Sequence, residues 1–198
     1  MRRAGLAIVA LALPACGPAA GRVPQAYLFQ KGAYQAIYGP DGRMMRLLYD
    51  GNGDGVADVV TVFGAAGQPQ QVETDTDLDG RVDRWETLSA GGQLERVVLA
   101  RRTPGQPDLW ETFDHGALVQ RELDEDGDGK VERREQYEAG RLVKVALDTD
   151  RDGRMDRWQQ WSSGHLTAEE IDSDGDGIAD RRLRFDERGV FKTLEKIR

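Results

Sequence analysis

Five short segments carry acids at a spacing that can hold a hard cation. They run Asp50–Asp58, Asp75–Asp83, Asp124–Glu132, Asp148–Asp156 and Asp172–Asp180, and all read Asp-x-Asp/Asn-x-Asp-Gly-x-x-Asp/Glu. Position three is Asn52, Asp77, Asp126, Asp150 or Asp174, and position five is Asp54, Asp79, Asp128, Asp152 or Asp176. Position nine is Asp58, Asp83, Glu132, Asp156 or Asp180. In a tightly turning chain the oxygens at one, three and five converge on one point. Gly at six permits the turn, and the acid at nine closes the shell. The carbonyl at seven (Val56, Arg81, Lys130, Arg154, Ile178) adds a further oxygen. Such an all-oxygen cage suits Ca²⁺, which takes six to eight oxygen ligands, so up to about five ions per chain are expected. Without a cation the crowded carboxylates would repel one another.

The loops recur within a longer repeat. The residues in register are Asp58, Asp83, Asp108, Glu132, Asp156 and Asp180, so the period is 24 or 25 residues. The fifth residue after each is large and apolar: Phe63, Leu88, Phe113, Tyr137, Trp161 and Phe185. Odd and even positions therefore define the two faces of a strand. A turn containing Gly follows, as at Gly116, Gly140 and Gly164, where a short hairpin needs positive φ. A second strand then leads to the next acidic loop. An extra hairpin over 33–49 opens the series and Val190–Leu194 closes it, giving about fourteen strands and no helix. The fold class predicted is all-β: antiparallel hairpin repeats forming an extended or rolled meander, with the acidic loops on one edge. This domain is expected over 33–198.

The sixth segment, Ala100 to Asp108, has lost the pattern. Ala100, Arg102 and Pro104 stand where acids belong, so it cannot hold calcium. It reads as a plain turn, or as one in which Arg101 and Arg102 set positive charge beside Asp108. His115 and His165 fall in turns without a nucleophile partner. Trp85, Trp110 and Trp158 share one repeat position, where they could form a sugar-stacking ladder or pack against neighbouring strands. Arg84, Arg133, Arg157 and Arg181 share another, with Glu86, Glu111 and Glu135 two residues beyond that register. Cross-strand Arg–Glu pairing on a solvated face is the expectation.

The first residues read as an address. Met1-Arg2-Arg3 is basic, and Ala4–Leu13 is an apolar run too short for a bilayer-spanning helix. Leu13-Pro14-Ala15-Cys16 follows and holds the only cysteine. This resembles the lipobox of bacterial lipoproteins, which implies a signal peptide over 1–15 and acylation of Cys16. The alternative is a plain secretory signal cut near Ala19-Ala20. Gly17 after the cysteine implies, by the same resemblance, the outer membrane. Residues 16–32 are then the lipidated terminus and tether.

Composition narrows the function. The chain has 198 residues with 27 Lys+Arg against 35 Asp+Glu, a net charge of −8. That balance argues against nucleic acid, whose binders are normally basic. One cysteine and two histidines leave no zinc motif. No nucleophile–base pair or phosphate-cradling loop is present, so no enzyme is expected. Nineteen of the acids sit at loop ligand positions, leaving a mildly basic remainder; with the loops filled by five Ca²⁺ the mature chain as a whole would be close to neutral.

The loops resemble the first nine positions of an EF-hand, without its bidentate Glu at position twelve and without flanking helices. They are more similar to the calcium loops of thrombospondin type 3 repeats and integrin-type propellers. The hairpins resemble those of bacterial MORN-like repeat proteins. These resemblances imply a calcium-binding cell-envelope lipoprotein whose ions stabilise a scaffold. Its partners would be the membrane, through the lipid, and a polysaccharide or envelope protein. An adhesion or carbohydrate-binding module using the Trp and Arg faces is the alternative.

Overall fold

The computed structural model describes residues 25–198, together with Ile8–Val9. Cys16 and, apart from Ile8–Val9, the other residues below 25 that were expected to form the signal and tether lie outside the described residues. Among those described, no helix is long and apolar enough to cross a membrane.

The chain divides into two units, 1–93 and 94–198. The first contains β1 (Ile8–Val9), β2 (Tyr27–Lys31), β3 (Tyr34–Tyr38), β4 (Met44–Tyr49), β5 (Val59–Phe63), β6 (Pro69–Thr74) and β7 (Arg84–Leu88). The second contains β8 (Leu94–Leu99), β9 (Leu109–Asp114), β10 (Ala117–Leu123), β11 (Arg133–Glu138) and β12 (Arg141–Leu147). It continues through β13 (Arg157–Ser162), β14 (His165–Ile171), β15 (Arg181–Phe185) and β16 (Phe191–Lys196). Within each unit every strand pairs antiparallel with the next in chain order, without crossovers. This is the all-β hairpin meander expected from the repeat. It starts earlier than residue 33: Tyr27–Lys31 pairs along its whole length with Tyr34–Tyr38 around Gly32.

Apart from the Gly32–Ala33 turn, where only Gly32 has positive φ, two turn types close the hairpins. His115–Gly116, Ala139–Gly140 and Ser163–Gly164 each have two consecutive positive φ values. That is the type I′ geometry whose twist matches the strands it joins. The others, such as Gly39–Gly42 and Asp186–Gly189, bond the last glycine N–H back three residues and place that glycine at φ 77°. A one-residue bulge recurs near the turn end, for instance between Gln136 and Tyr137. The expected apolar fifth residues sit at these ends, half-buried.

Apolar burial is thin. Among the described residues only Ala36, Val60, Val97, Ala100, Leu109, Val145 and Ala168 are buried hydrophobics, against nine buried acids. Each fully buried Val contributes only about 1.5–3 kcal/mol, so polar groups must organise much of the fold. In the second unit one row of facing residues runs Val97, Glu111, Arg121, Glu135, Val145, Gln159 and Glu169. Arg121 Nη2 lies 2.6 Å from Glu111 Oε1, and the Tyr137 hydroxyl donates to Glu135 Oε2 at 2.5 Å. Burial pushes Tyr137 up, and the bond to Glu135 adds to it, bringing the phenol to about 12. Burial alone would raise Glu135, but Tyr137, Arg133 and Arg121 outweigh it and hold the carboxyl low.

The Arg–Glu pairing differs in part from the cross-strand expectation. Arg84 pairs with Glu86 and Arg133 with Glu135 along one strand. Arg133 faces Leu123 and Leu147 across the ladder, so its nearest same-face acid is its own i+2 neighbour. Arg157 of the predicted row does pair across strands with Glu169, and at the next strand position Arg134–Glu122 and Arg182–Glu170 do as well. The tryptophans form no continuous ladder, because Glu122, Arg134 and Ala146 lie in register between Trp110 and Trp158.

Candidate metal centres

Each acidic loop leaves the end of one strand and enters the next, and the ladder fixes both its ends. The N–H of residue nine donates to the last carbonyl of the preceding strand, as Glu132 to Leu123 and Asp156 to Leu147. The N–H of residue one donates to residue nine of the loop before it. Asp75 bonds Asp58 in the first unit; Asp148 bonds Glu132 and Asp172 bonds Asp156 in the second. Within each unit the loops therefore follow one another along a single edge, as the repeat predicted.

Inside the loops the carboxylates do structural work first. Asp124 is 2% exposed and accepts the N–H groups of Gly127 at 2.6 Å and Gly129 at 2.9 Å. Asp50, Asp148 and Asp172 are held the same way by residues four and six of their own loops. The residue-five N–H donates to residue three, as Asp128 to Asp126. The residue-seven N–H donates to residue five in every loop: Val56, Arg81, Lys130, Arg154 and Ile178. Burial alone would raise Asp172, but the N–H groups of Gly177, Gly175 and Asp174 hold it below its ordinary value. Asp77 is raised, chiefly by loss of water around it, with neighbouring Asp79, Asp75 and Asp83 adding to the effect.

Four loops bring acidic oxygens within 4.8 Å of one another. Asp124, Asp126, Asp128 and Glu132 form a complete set. Asp75, Asp77 and Asp83 form a triad, as do Asp148, Asp150 and Asp156, and Asp172, Asp174 and Asp176. Asp79, Asp152 and Asp180 stand outside these groups. The first loop assembles no such set. There Asn52 Nδ2 donates to Asp54 Oδ2 at 3.0 Å, and Asp58 accepts the Gly51 and Asn52 N–H groups.

The Glu132 carboxylate differs from the rest. Its Oε2 accepts the Glu125 N–H at 2.6 Å, while Oε1 is buried and has no hydrogen-bond partner. Leaving a buried acceptor unpaired costs about 1–3 kcal/mol, and more when it is charged. A hard cation among the four carboxylates would satisfy that oxygen.

Two structural positions were not read from the sequence. Residue four has positive φ in every intact loop: Gly53, Leu78, Gly127, Arg151 and Gly175. Residue two donates to the acid at nine, and Thr76, Thr149 and Ser173 add a hydroxyl bond, at 2.6 Å for Thr76 Oγ1 to Asp83 Oδ2. Glycine at four in three of five loops was the available signal for the first. For the second it was a hydroxyl at two in three of five.

The degenerate loop keeps this frame without the cage. Arg101 N–H donates to Asp108 Oδ1 at 3.0 Å, so the acid at nine still closes the turn. Arg101 Nε is 3.2 Å from Oδ1 and Arg102 Nε is 3.7 Å from Oδ2.

No family model matches this chain. No curated protein matches it either. Among solved structures it is similar to a chain of the crystal structure of accessory secretory protein 1, 2 and 3 in Streptococcus pneumoniae. The two share 12% identity, with a TM-score of 0.29, over 64% of this chain. The match spans 19% of that chain, about a fifth of its length.

Proposed function

We propose that this chain is a cell-envelope lipoprotein that binds Ca²⁺ in its acidic loops, the ions bracing a repetitive β scaffold. The observation that carries the reading is Glu132 Oε1, a buried carboxylate oxygen without a hydrogen bond, converging with Asp124, Asp126 and Asp128. All the donors are oxygens, the ligand set of calcium and not of zinc or copper. The carbonyls of Val56, Arg81, Lys130, Arg154 and Ile178 would add an oxygen each. The sparse apolar core supports a structural role, since beyond the backbone ladder few buried apolar side chains hold the strands that the loops join. Extracellular calcium modules bind at roughly 10⁻⁴–10⁻³ M, so the ions would be resident braces in a calcium-rich compartment and not a signal. Membrane attachment through Cys16 rests on the basic start, the short apolar run and the single cysteine.

Replacing Asp126 and Asp128 together by Ala tests the reading. Bound calcium, counted by equilibrium dialysis on protein shown folded by circular dichroism, should fall by one ion per chain. An unchanged count would remove the Asp124–Glu132 loop from the set of sites.

A further inference from the structure

The last hairpin of the second unit leaves one face uncovered. Strand β16 pairs with β15 alone and ends the sheet. Its register sets Arg181 opposite Lys196, Leu183 opposite Leu194 and Phe185 opposite Phe191. Residues 181, 183 and 185 alternate along β15, so the three pairs share one face. The two phenyl rings meet edge to face at 6.1 Å. Phe191 is 52% exposed and Leu194 59%. All five exposed large hydrophobics of the second unit fall between Ile178 and Ile197, so its apolar surface is gathered at this end.

Positive charge gathers there too. Residues 181–198 hold seven Lys and Arg against three Asp and Glu, in a chain of net charge −8. Glu195 is matched by Arg184 at 3.0 Å and Asp186 by Lys192 at 3.3 Å. Arg181 and Lys196 have no acid in salt-bridge range among the described residues, yet they stand directly opposite each other. Like charges so placed destabilise a sheet, and an anion held between them would reverse that. On the other face of the hairpin Arg182 is paired with Glu170 and Arg184 with Glu195. One face alone therefore combines exposed apolar groups with unpaired cations.

That combination suits an anionic lipid surface, where apolar side chains enter the headgroup boundary and Lys and Arg stay with the phosphates. A second copy of the chain is a poorer occupant. The face measures only about 10 Å by about 17 Å from strand spacing and rise, well short of the ~800 Å² per partner that a stable protein interface buries. We propose that this face of β15 and β16 docks on an anionic membrane, with Phe191 and Leu194 entering the interface and Arg181 and Lys196 meeting lipid phosphates. The contact is separate from any N-terminal acyl anchor and does not require calcium.

Leu194→Cys in a Cys16→Ser chain gives one attachment point for a polarity-sensitive fluorophore, read apart from the N-terminal segment. Vesicles of phosphatidylcholine alone, or of equal parts phosphatidylcholine and phosphatidylglycerol, are titrated in EDTA and in Ca²⁺. The expected result is a saturable, blue-shifted rise with the anionic vesicles in both buffers, and none with phosphatidylcholine alone. The same label at Lys144→Cys, an exposed position on β12, should not respond. Arg181→Gln with Lys196→Gln should weaken binding about twentyfold, since each cation near an anionic surface is worth about fivefold. Both side chains are exposed, and circular dichroism checks that the variant folds. No rise at 194 with anionic vesicles, an equal rise with neutral ones or at 144, or a rise unmoved by the double substitution would overturn the proposal. A rise that needs Ca²⁺ would also overturn it and assign lipid contact to the acidic loops. A rise without vesicles that grows with protein concentration would put a second copy in place of the lipid.

Discussion

Arg151 Nη1 lies 3.1 Å from Asp126 Oδ2, so the fourth residue of one loop places its charge on a ligand of the loop before it. The same arginine holds a left-handed backbone at φ 63°, a conformation that suits glycine better. It therefore competes with any cation for Asp126 while straining its own loop. The two loops also touch at Gly153, where a side chain would meet the Lys130 chain.

Arg151→Gly removes both effects. Calcium should bind more tightly at the Asp124–Glu132 loop, by up to about fivefold, because an exposed ion pair is worth at most about 1 kcal/mol. The melting point of the calcium-free protein should stay the same or rise, since relief of the left-handed strain offsets the lost pair. A calorimetric calcium titration of both proteins checks this; weaker binding in the variant would show that Arg151 supports the site instead.

Thr149→Val tests the frame apart from the ion. Thr149 Oγ1 donates to Asp156 Oδ2 at 2.8 Å and fixes the acid that closes its loop. The isosteric replacement should cost about 1 kcal/mol in urea unfolding measured in EDTA, with no change in the slope. An unchanged midpoint would mean that the backbone N–H bond alone holds Asp156.

How much of this was legible follows from what each residue type announces. The acids at one, three, five and nine announced themselves by spacing; the oxygens of all four converge in the Asp124 loop and those of three in three other loops. Residue four was hidden because Leu78 and Arg151 occupy a left-handed position that Gly53, Gly127 and Gly175 fill without strain. Residue two was hidden because Gly51 and Glu125 make the same backbone bond as Thr76, Thr149 and Ser173, so residue type did not mark it. Strand β2 was missed because it lies in the 16–32 stretch read as a tether, ahead of the hairpin that opens the series. Its Tyr27-Leu28-Phe29 run and the glycine at 32 mark it once the pairing is seen. The register that sets Leu123 and Leu147 opposite Arg133 depends on pairing, which no single strand encodes.

The Tyr137–Glu135 bond makes a pH prediction at the alkaline end. The folded phenol titrates at about 12, above the value of about 10 for an unfolded tyrosine. A raised acid contributes stability that is fully present below pH 10 and is lost as pH rises from 10 toward 12. Tyr137→Phe should therefore be less stable than wild type at pH 8, with the difference shrinking across that window. Urea unfolding at pH 8, 10 and 11 follows it. A difference that stays constant would separate Tyr137 from the titration.

The central claim is that cations brace the scaffold, and a thermal melt in 10 mM Ca²⁺ against excess EDTA tests it most directly. Four sites with dissociation constants near 10⁻³ M would together add about 6 kcal/mol by mass action. The account predicts a melting point that climbs with calcium concentration and falls by many degrees in EDTA. A midpoint that is the same in both would contradict it.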